Sequence, residues 1–131
     1  MREILFRGKR KDNGEWVEGF PVRIYDYGGL VWDMHPFNTN LEVTHSVIPN
    51  SIGQFTGLKD KNGKKIFEGD IVKQGEHIML VEWYEFLASF ALAFSVDGYY
   101  HEAISNSHIY LEVIGNIHDN PELLKGGAED A

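Results

Sequence analysis

Two Asn-Gly pairs, Asn13-Gly14 and Asn62-Gly63, set the strongest limit on what this chain can fold into. A two-residue type I′ turn needs positive φ at both central residues, and Asn-Gly is the pair that tolerates this best. Each pair therefore predicts a β-hairpin. Asp26-Tyr27-Gly28-Gly29 and Asp97-Gly98 predict two further turns. Between the turns the side chains repeat with period two, as they do in strands. Ile4, Phe6 and Gly8 share a parity; so do Trp16, Phe20, Val22 and Ile24, and again Leu41, Val43, His45 and Val47. The longest alternation sets Phe86, Ala88, Phe90, Leu92, Phe94 and Val96 against Leu87, Ser89, Ala91, Ala93 and Ser95. It predicts a strand with one bulky and one small face, although Ala and Leu over 84–94 favour helix. Strands are expected near 77–83, 88–96 and 108–116. Gly69-Asp70 opens a strand after a tight turn, with Gly supplying an unusual φ and Asp bonding the local backbone. Gly115 inside the last strand marks a bulge or a close approach.

The end of the chain changes character. Asn120-Pro121-Glu122-Leu123-Leu124-Lys125 has the order of an N-cap, a proline at the first helical position and an acidic first turn. A short C-terminal helix is expected there, followed by a frayed tail over 126–131. KDNGEWVEG at 11–19 echoes KDKNGKKIFEGD at 59–70; a duplicated hairpin would produce this, and shared turn chemistry, the favoured reading, would produce it by chance.

A length of 131 residues with 43% hydrophobic side chains suits one compact domain or two small subdomains. The expected division is an N-terminal β-hairpin subdomain over 1–57 and a second β subdomain over 58–125. There is no cysteine, which removes disulfides, thiolate metal sites and a cysteine nucleophile. The start lacks the pattern of a signal peptide, and no apolar run approaches the roughly 20 residues of a membrane span. A cytoplasmic protein without a membrane partner is expected. The net charge of −8 is uneven: residues 1–65 hold 10 Lys/Arg against 8 Asp/Glu, whereas 66–131 hold 2 against 12. Bases cluster at Arg7, Lys9, Arg10 and Lys11 and at Lys59, Lys61, Lys64 and Lys65. Such clusters can touch nucleic acid locally, while the acidic remainder repels it at long range.

Four segments together resemble one known family. They are FRGK at 6–9, GEWVEG at 14–19, SIGQFTGLKDKNGKKIFEGDIV at 51–72 and LEVIGNIHDNPELL at 111–124. In order and spacing the chain is similar to the YopX family of phage and prophage proteins. The resemblance implies a phage or prophage origin in a bacterial host. It also implies an all-β fold whose second half is an SH3-like barrel. No activity comes with it, so no catalytic residues do. Residues 30–57 match least, and HPFNTN at 35–40 is particular to this chain.

The residues themselves carry no enzymatic motif. There is no P-loop ending after Gly57–Gly63 and no GxSxG elbow. Asp60-Lys61-Asn62-Gly63 opens like a calcium loop, but Lys64, Lys65 and Ile71 stand where ligands and glycine belong. Glu68 and Asp70 flank Gly69, and a turn explains both. Asp33 and His35 can share a strand face as metal ligands do, yet His45, His101, His108 and His118 are scattered without ligand spacing. No metal, cofactor or catalytic residue is expected. Aromatic residues are the remaining lead. Trp16 and Trp83 are expected in the core, and Tyr84, Tyr99 and Tyr100 as exposed members. Acids at Glu82, Glu85 and Glu102 surround them, which disfavours stacking on nucleic acid. The expected function is a non-enzymatic module that engages a protein or another copy of itself. A nucleic-acid-binding accessory protein using the basic turns at 7–11 and 59–65 is the alternative.

Overall fold

A computed structural model describes residues 4–26, 29–36, 43–85, 88–94, 100–104 and 106–124. The protein is mostly β. Its ladders are antiparallel and belong to two sheets, and a short helix begins at 122. The chain divides into two compact units, Met1–Phe55 and Thr56–Ala131.

In the first unit, strands β1 (Phe6–Lys9), β2 (Trp16–Asp26), β3 (Gly29–Pro36) and β4 (His45–Ser46) lie in the order β4-β3-β2-β1. The start of β5 (Gly53–Lys59) adds to the β1 edge through Phe6↔Gln54 and Arg7↔Gly53. Leu5, Met34, Val47 and Phe55 are its buried apolar side chains. Between β4 and β5, a 3-10 turn at Pro49–Ser51 is pinned by one hydroxyl. Ser51 Oγ accepts from Lys9 N at 2.8 Å and donates to the Ile48 carbonyl at 2.6 Å.

β5 runs on into the second unit, where it pairs with β6 (Lys65–Phe67). The remaining strands are β7 (Asp70–Gln74), β8 (His77–Tyr84), β9 (Ser89–Phe94), β10 (Tyr100–Ala103) and β11 (Glu112–Asn116), ordered β10-β9-β8-β7-β11. Ile66, Val72, Met79, Val81, Leu92 and Leu111 form its core, with Ile104 and Val113 packed against them. Full burial of each such side chain is worth roughly 1.5–3 kcal/mol.

Several sequence expectations need correction. Neither Asn-Gly hairpin is a two-residue type I′ turn, because among the described residues only Ala88 has positive φ besides glycines. The second hairpin has a three-residue loop. Gly63 N donates to the Asp60 carbonyl at 3.0 Å, Asp60 N donates to Lys64 O at 2.8 Å, and Gly63 alone turns left-handed at φ +81°. The first hairpin is one residue longer, with Gly14 N donating to Arg10 O at 3.1 Å and Arg10 N to Glu15 O at 2.8 Å. Gly14 sits at φ +73°, and Asn13 Oδ1 accepts from Glu15 N at 2.9 Å. The echo between 11–19 and 59–70 thus covers two different loops.

The strand expected near 88–96 is β9, which begins at Ser89. Ala88, at φ +49°, belongs to the preceding turn. Phe90 and Leu92 are buried on one face of the strand, but so is Ala91 on the other. Residues 108–110 are not strand: Asn106–Tyr110 is a 3-10 turn, and β11 starts at Glu112. Asn120 does not cap the helix with its side chain, whose Oδ1 accepts from Asn116 N at 3.3 Å. The Asp97-Gly98 turn, Tyr27-Gly28, Leu41, Phe86, Leu87, Ser95, Val96, residues 37–40 and the tail over 126–131 lie outside the described residues.

One carboxylate ties the second unit together. Asp60 is 6% exposed; its Oδ1 accepts from Asn62 N (2.8 Å) and Lys64 N (2.9 Å), and its Oδ2 from Val113 N (2.9 Å). Beside it, Lys61 N donates to Leu111 O at 2.9 Å, and His108 Nδ1 bonds Lys59 O at 2.7 Å. Burial alone would raise the pKa of Asp60. The N–H groups of Val113, Lys64 and Asn62, with the charge of Lys64, outweigh burial and hold it below the ordinary aspartate range. Asp70 plays a smaller part of the same kind. It is 1% exposed, and its Oδ2 accepts from Phe67 N at 2.7 Å across the turn in which Gly69 sits at φ +93°. β11 carries a bulge between Val113 and Gly115, and a Cβ on Gly115 would lie 2.6 Å from Asn120 Oδ1.

Asp60→Asn is expected to destabilise the fold by about 2 kcal/mol or more at neutral pH, because an amide cannot accept from three N–H groups without presenting a donor to one of them. The sign with pH follows from the lowered folded pKa. The contribution is fully present above ~4, the unfolded value, and is lost as pH falls through the folded one. Urea unfolding of parent and variant should therefore show a gap that narrows below pH ~4. A gap constant down to pH ~3 would show that the charge is not what holds the loop.

Gly63→Val should cost of order 1 kcal/mol through backbone conformation alone, since a Cβ there meets nothing within 4 Å. An unchanged melting temperature would contradict the left-handed assignment.

Candidate functional site

The two basic clusters are less available than their sequence implies, and they lie in different units. In the first unit, Arg7 stands opposite Glu18 in the β1–β2 register, so Trp16 is its diagonal neighbour on the same face. The guanidinium sits 4.6 Å over the Trp16 ring, a cation–π contact. Arg10 makes a two-pronged bond to Asp12, Nε to Oδ1 at 2.9 Å and a terminal nitrogen to Oδ2 at 2.6 Å. This bond from Arg10 holds the Asp12 carboxyl below its ordinary range. Lys9 is half-buried, and Lys11 is exposed. In the second unit Lys59, Lys61 and Lys64 are exposed and Lys65 is half-buried; Lys61 Nζ lies 4.0 Å from Glu112.

The aromatic residues sort differently from expectation. Trp83 is 46% exposed rather than in the core. It shares the core face of β8 with Met79 and Val81 but stands near the strand's end, edge-on to Phe90 at 5.2 Å. Trp16 is half-buried under Arg7, and Tyr84, expected to be exposed, is half-buried. Tyr100 lies on β10 opposite Phe94, and Tyr99 lies outside the described residues.

Asp33 and His35 stand two apart on one face of β3, and their polar atoms are engaged locally. Asp33, 3% exposed, accepts from Thr44 Oγ1 at 2.8 Å and from Ser46 Oγ at 3.2 Å. His35 Nδ1 bonds the Val43 carbonyl at 3.0 Å. Among the described residues, no three His, Asp or Glu side chains converge as metal ligands would.

The surface with the composition of an interface was not singled out in the sequence. In the β2–β3 hairpin, Arg23 is directly opposite Trp32, and Tyr25 is directly opposite Leu30. Residues two apart share a face, so these four form two adjoining rows. Arg23 lies 4.7 Å over the Trp32 ring; Tyr25 is 82% exposed and Leu30 46%. Neighbouring strands stop short of the outer row. β1 covers β2 only through 16–19, and β4 pairs with β3 at 33 and 34, with a last bond from Val47 N to Trp32 O. Tyr, Trp and Arg are the side chains most enriched where protein interfaces concentrate their binding energy. The sequence signals for this patch are the period-two run and the turn expected at 26–29. Exposure follows from where β1 and β4 end.

The fold has a solved counterpart. The crystal structure of protein EF1440 from Enterococcus faecalis is similar with a TM-score of 0.52 at 24% identity, covering 95% of this chain and 99% of that one. That likeness speaks to fold alone. A search of curated proteins finds no match. The sequence pattern of the family described as YopX protein matches residues 5–125, a span that takes in both units, the Asp60 loop and the β2–β3 patch. This chain belongs to the YopX family.

Proposed function

We propose that this protein is a non-enzymatic interaction module of phage or prophage origin, acting in the cytoplasm of the bacterial host. The patch of Arg23, Trp32, Tyr25 and Leu30 engages a protein surface, another copy of the chain included. One observation carries this: a fully presented tyrosine and a leucine share one face of a hairpin with a stacked Arg–Trp pair, and no described strand flanks their row. A two-stranded ribbon is marginal in water by itself, so cover from a partner stabilises it. The second unit is read as an SH3-like barrel, a reading supported by its five short antiparallel strands around one core. The module needs no cofactor.

Nucleic acid is the weaker partner. Arg7 and Arg10 already have partners within the chain, Lys61 lies near Glu112, and the second half is strongly acidic. Duplex DNA is expected to bind no tighter than roughly 10⁻⁴ M at physiological salt. A submicromolar titration would promote the nucleic-acid alternative.

The Tyr25→Ser/Leu30→Ser variant should melt close to the parent, because both side chains are exposed and surface changes stay within about 0.5 kcal/mol. Sedimentation velocity should show its self-association weakened, and the immobilised variant should lose proteins that the parent captures from host extract. Association through this patch persists in high salt, whereas association of oppositely charged halves fades. A variant that keeps the parent's oligomeric state and captures the same proteins would remove the patch from the interface.

A further inference from the structure

The second unit contains a cleft of about 530 Å³ that the interaction patch does not involve. Its floor is apolar, formed by Met79 and Leu92, each 2% exposed. Registers explain how the rim is assembled. Gln74 and His77 face each other across β7 and β8, and Glu102 stands on β10 directly opposite Leu92. Ser107, from the 3-10 turn before β11, adds a hydroxyl. The volume lies within the range of ligand sites, and an apolar floor with a few convergent polar groups is their usual make-up.

Charge decides what fits. Glu102 is an exposed carboxylate on the rim, and among the described residues no lysine or arginine lines the cleft. Glu76 is exposed in the adjoining β7–β8 turn. The nearest base in sequence, Lys73, alternates with Val72 and Gln74 and so lies on the opposite face of β7. The second unit, residues 56–131, holds 13 acids against 6 bases, which draws a cation toward it.

We propose that this cleft binds a short basic peptide segment, with an aliphatic side chain seated on Met79 and Leu92 and a neighbouring lysine or arginine paired with Glu102. The amide of Gln74 and the hydroxyl of Ser107 are placed to meet the peptide backbone.

The chain has three methionines, Met1, Met34 and Met79, so methyl-labelled methionine reports the cleft directly. Met34 is fully buried in the first unit and serves as internal control. The probe is a fluorescein-labelled nonapeptide of alternating Leu and Arg, with a Leu/Glu peptide of equal length as comparison. The Leu/Arg peptide should shift the Met79 methyl and leave Met34 in place. Glu102→Gln should weaken its binding about fivefold, the scale of one exposed ion pair, while Glu85→Gln, an exposed acid away from the cleft, should not. The Tyr25→Ser/Leu30→Ser variant should shift Met79 as the parent does, which separates this site from the patch. Three results would overturn the proposal: an unmoved Met79, equal binding of the Leu/Glu peptide, or equal weakening by Glu102→Gln and Glu85→Gln. Saturation of the same Met79 shift by arginine amide alone, at concentrations where the peptide does no better, would also overturn it in favour of a small organic cation.

Discussion

A buried carboxylate with three backbone partners governs the second unit. Removing Asp60 from water is unfavourable unless its oxygens are met by donors, and the chain meets them with N–H groups from two distant places. Two come from its own loop and fix the three-residue turn. The third, Val113 N, comes from β11, 53 residues away. The same junction is completed by Lys61 N on Leu111 O and by His108 on Lys59 O. One side chain therefore sets the geometry of a hairpin and fixes the position of the last strand. Leu111 and Val113, whose backbones make two of these bonds, also pack in or against the core. Polar satisfaction and apolar burial act on the same residues.

Much of the β architecture was legible because period two is a local property. His77–Tyr84 and the long β2 strand follow from alternation and turn residues alone. What was not legible depends on contacts between distant residues. Asn62-Gly63 announces a hairpin, but its loop length is chosen by Asp60, whose side chain bonds Asn62 and Lys64. Residues 108–110 carry a strand-like pattern, and yet His108 turns to the Lys59 carbonyl, 49 residues away. That contact outweighs a strand preference that is weak by nature. Trp83 has the right parity for the core, but parity does not report how far a core extends along a strand. The candidate surfaces fared similarly. Composition marked the lysines and tyrosines, whereas the Arg23–Trp32 and Tyr25–Leu30 rows emerge only from a register and from the ends of β1 and β4.

The two units place their polar chemistry differently. In the first, Asp33, Ser51 and the Arg7–Trp16 stack settle polar groups within or just above the sheet, and large apolar side chains remain at the surface. In the second, buried Asp60 and Asp70 hold turns in place while exposed Glu102 stands at the rim of a cleft with an apolar floor. Presented apolar side chains and a cleft with one carboxylate at its rim are different kinds of surface, and one chain carries both.

The reach of Asp60 also has a meaning in time. A ribosome delivers the chain from its amino end, so the strands of the first unit are all available before the second is finished. Asp60 emerges early, together with the two loop amides that it holds. Its third donor arrives only when residue 113 has left the exit tunnel. Until then the carboxylate stays incompletely bonded, and the core lacks Leu111 and Val113. Closure of the second unit is thereby deferred until β11 has emerged, and a nascent chain that stops before β11 carries an open edge along β7 where β11 would pair.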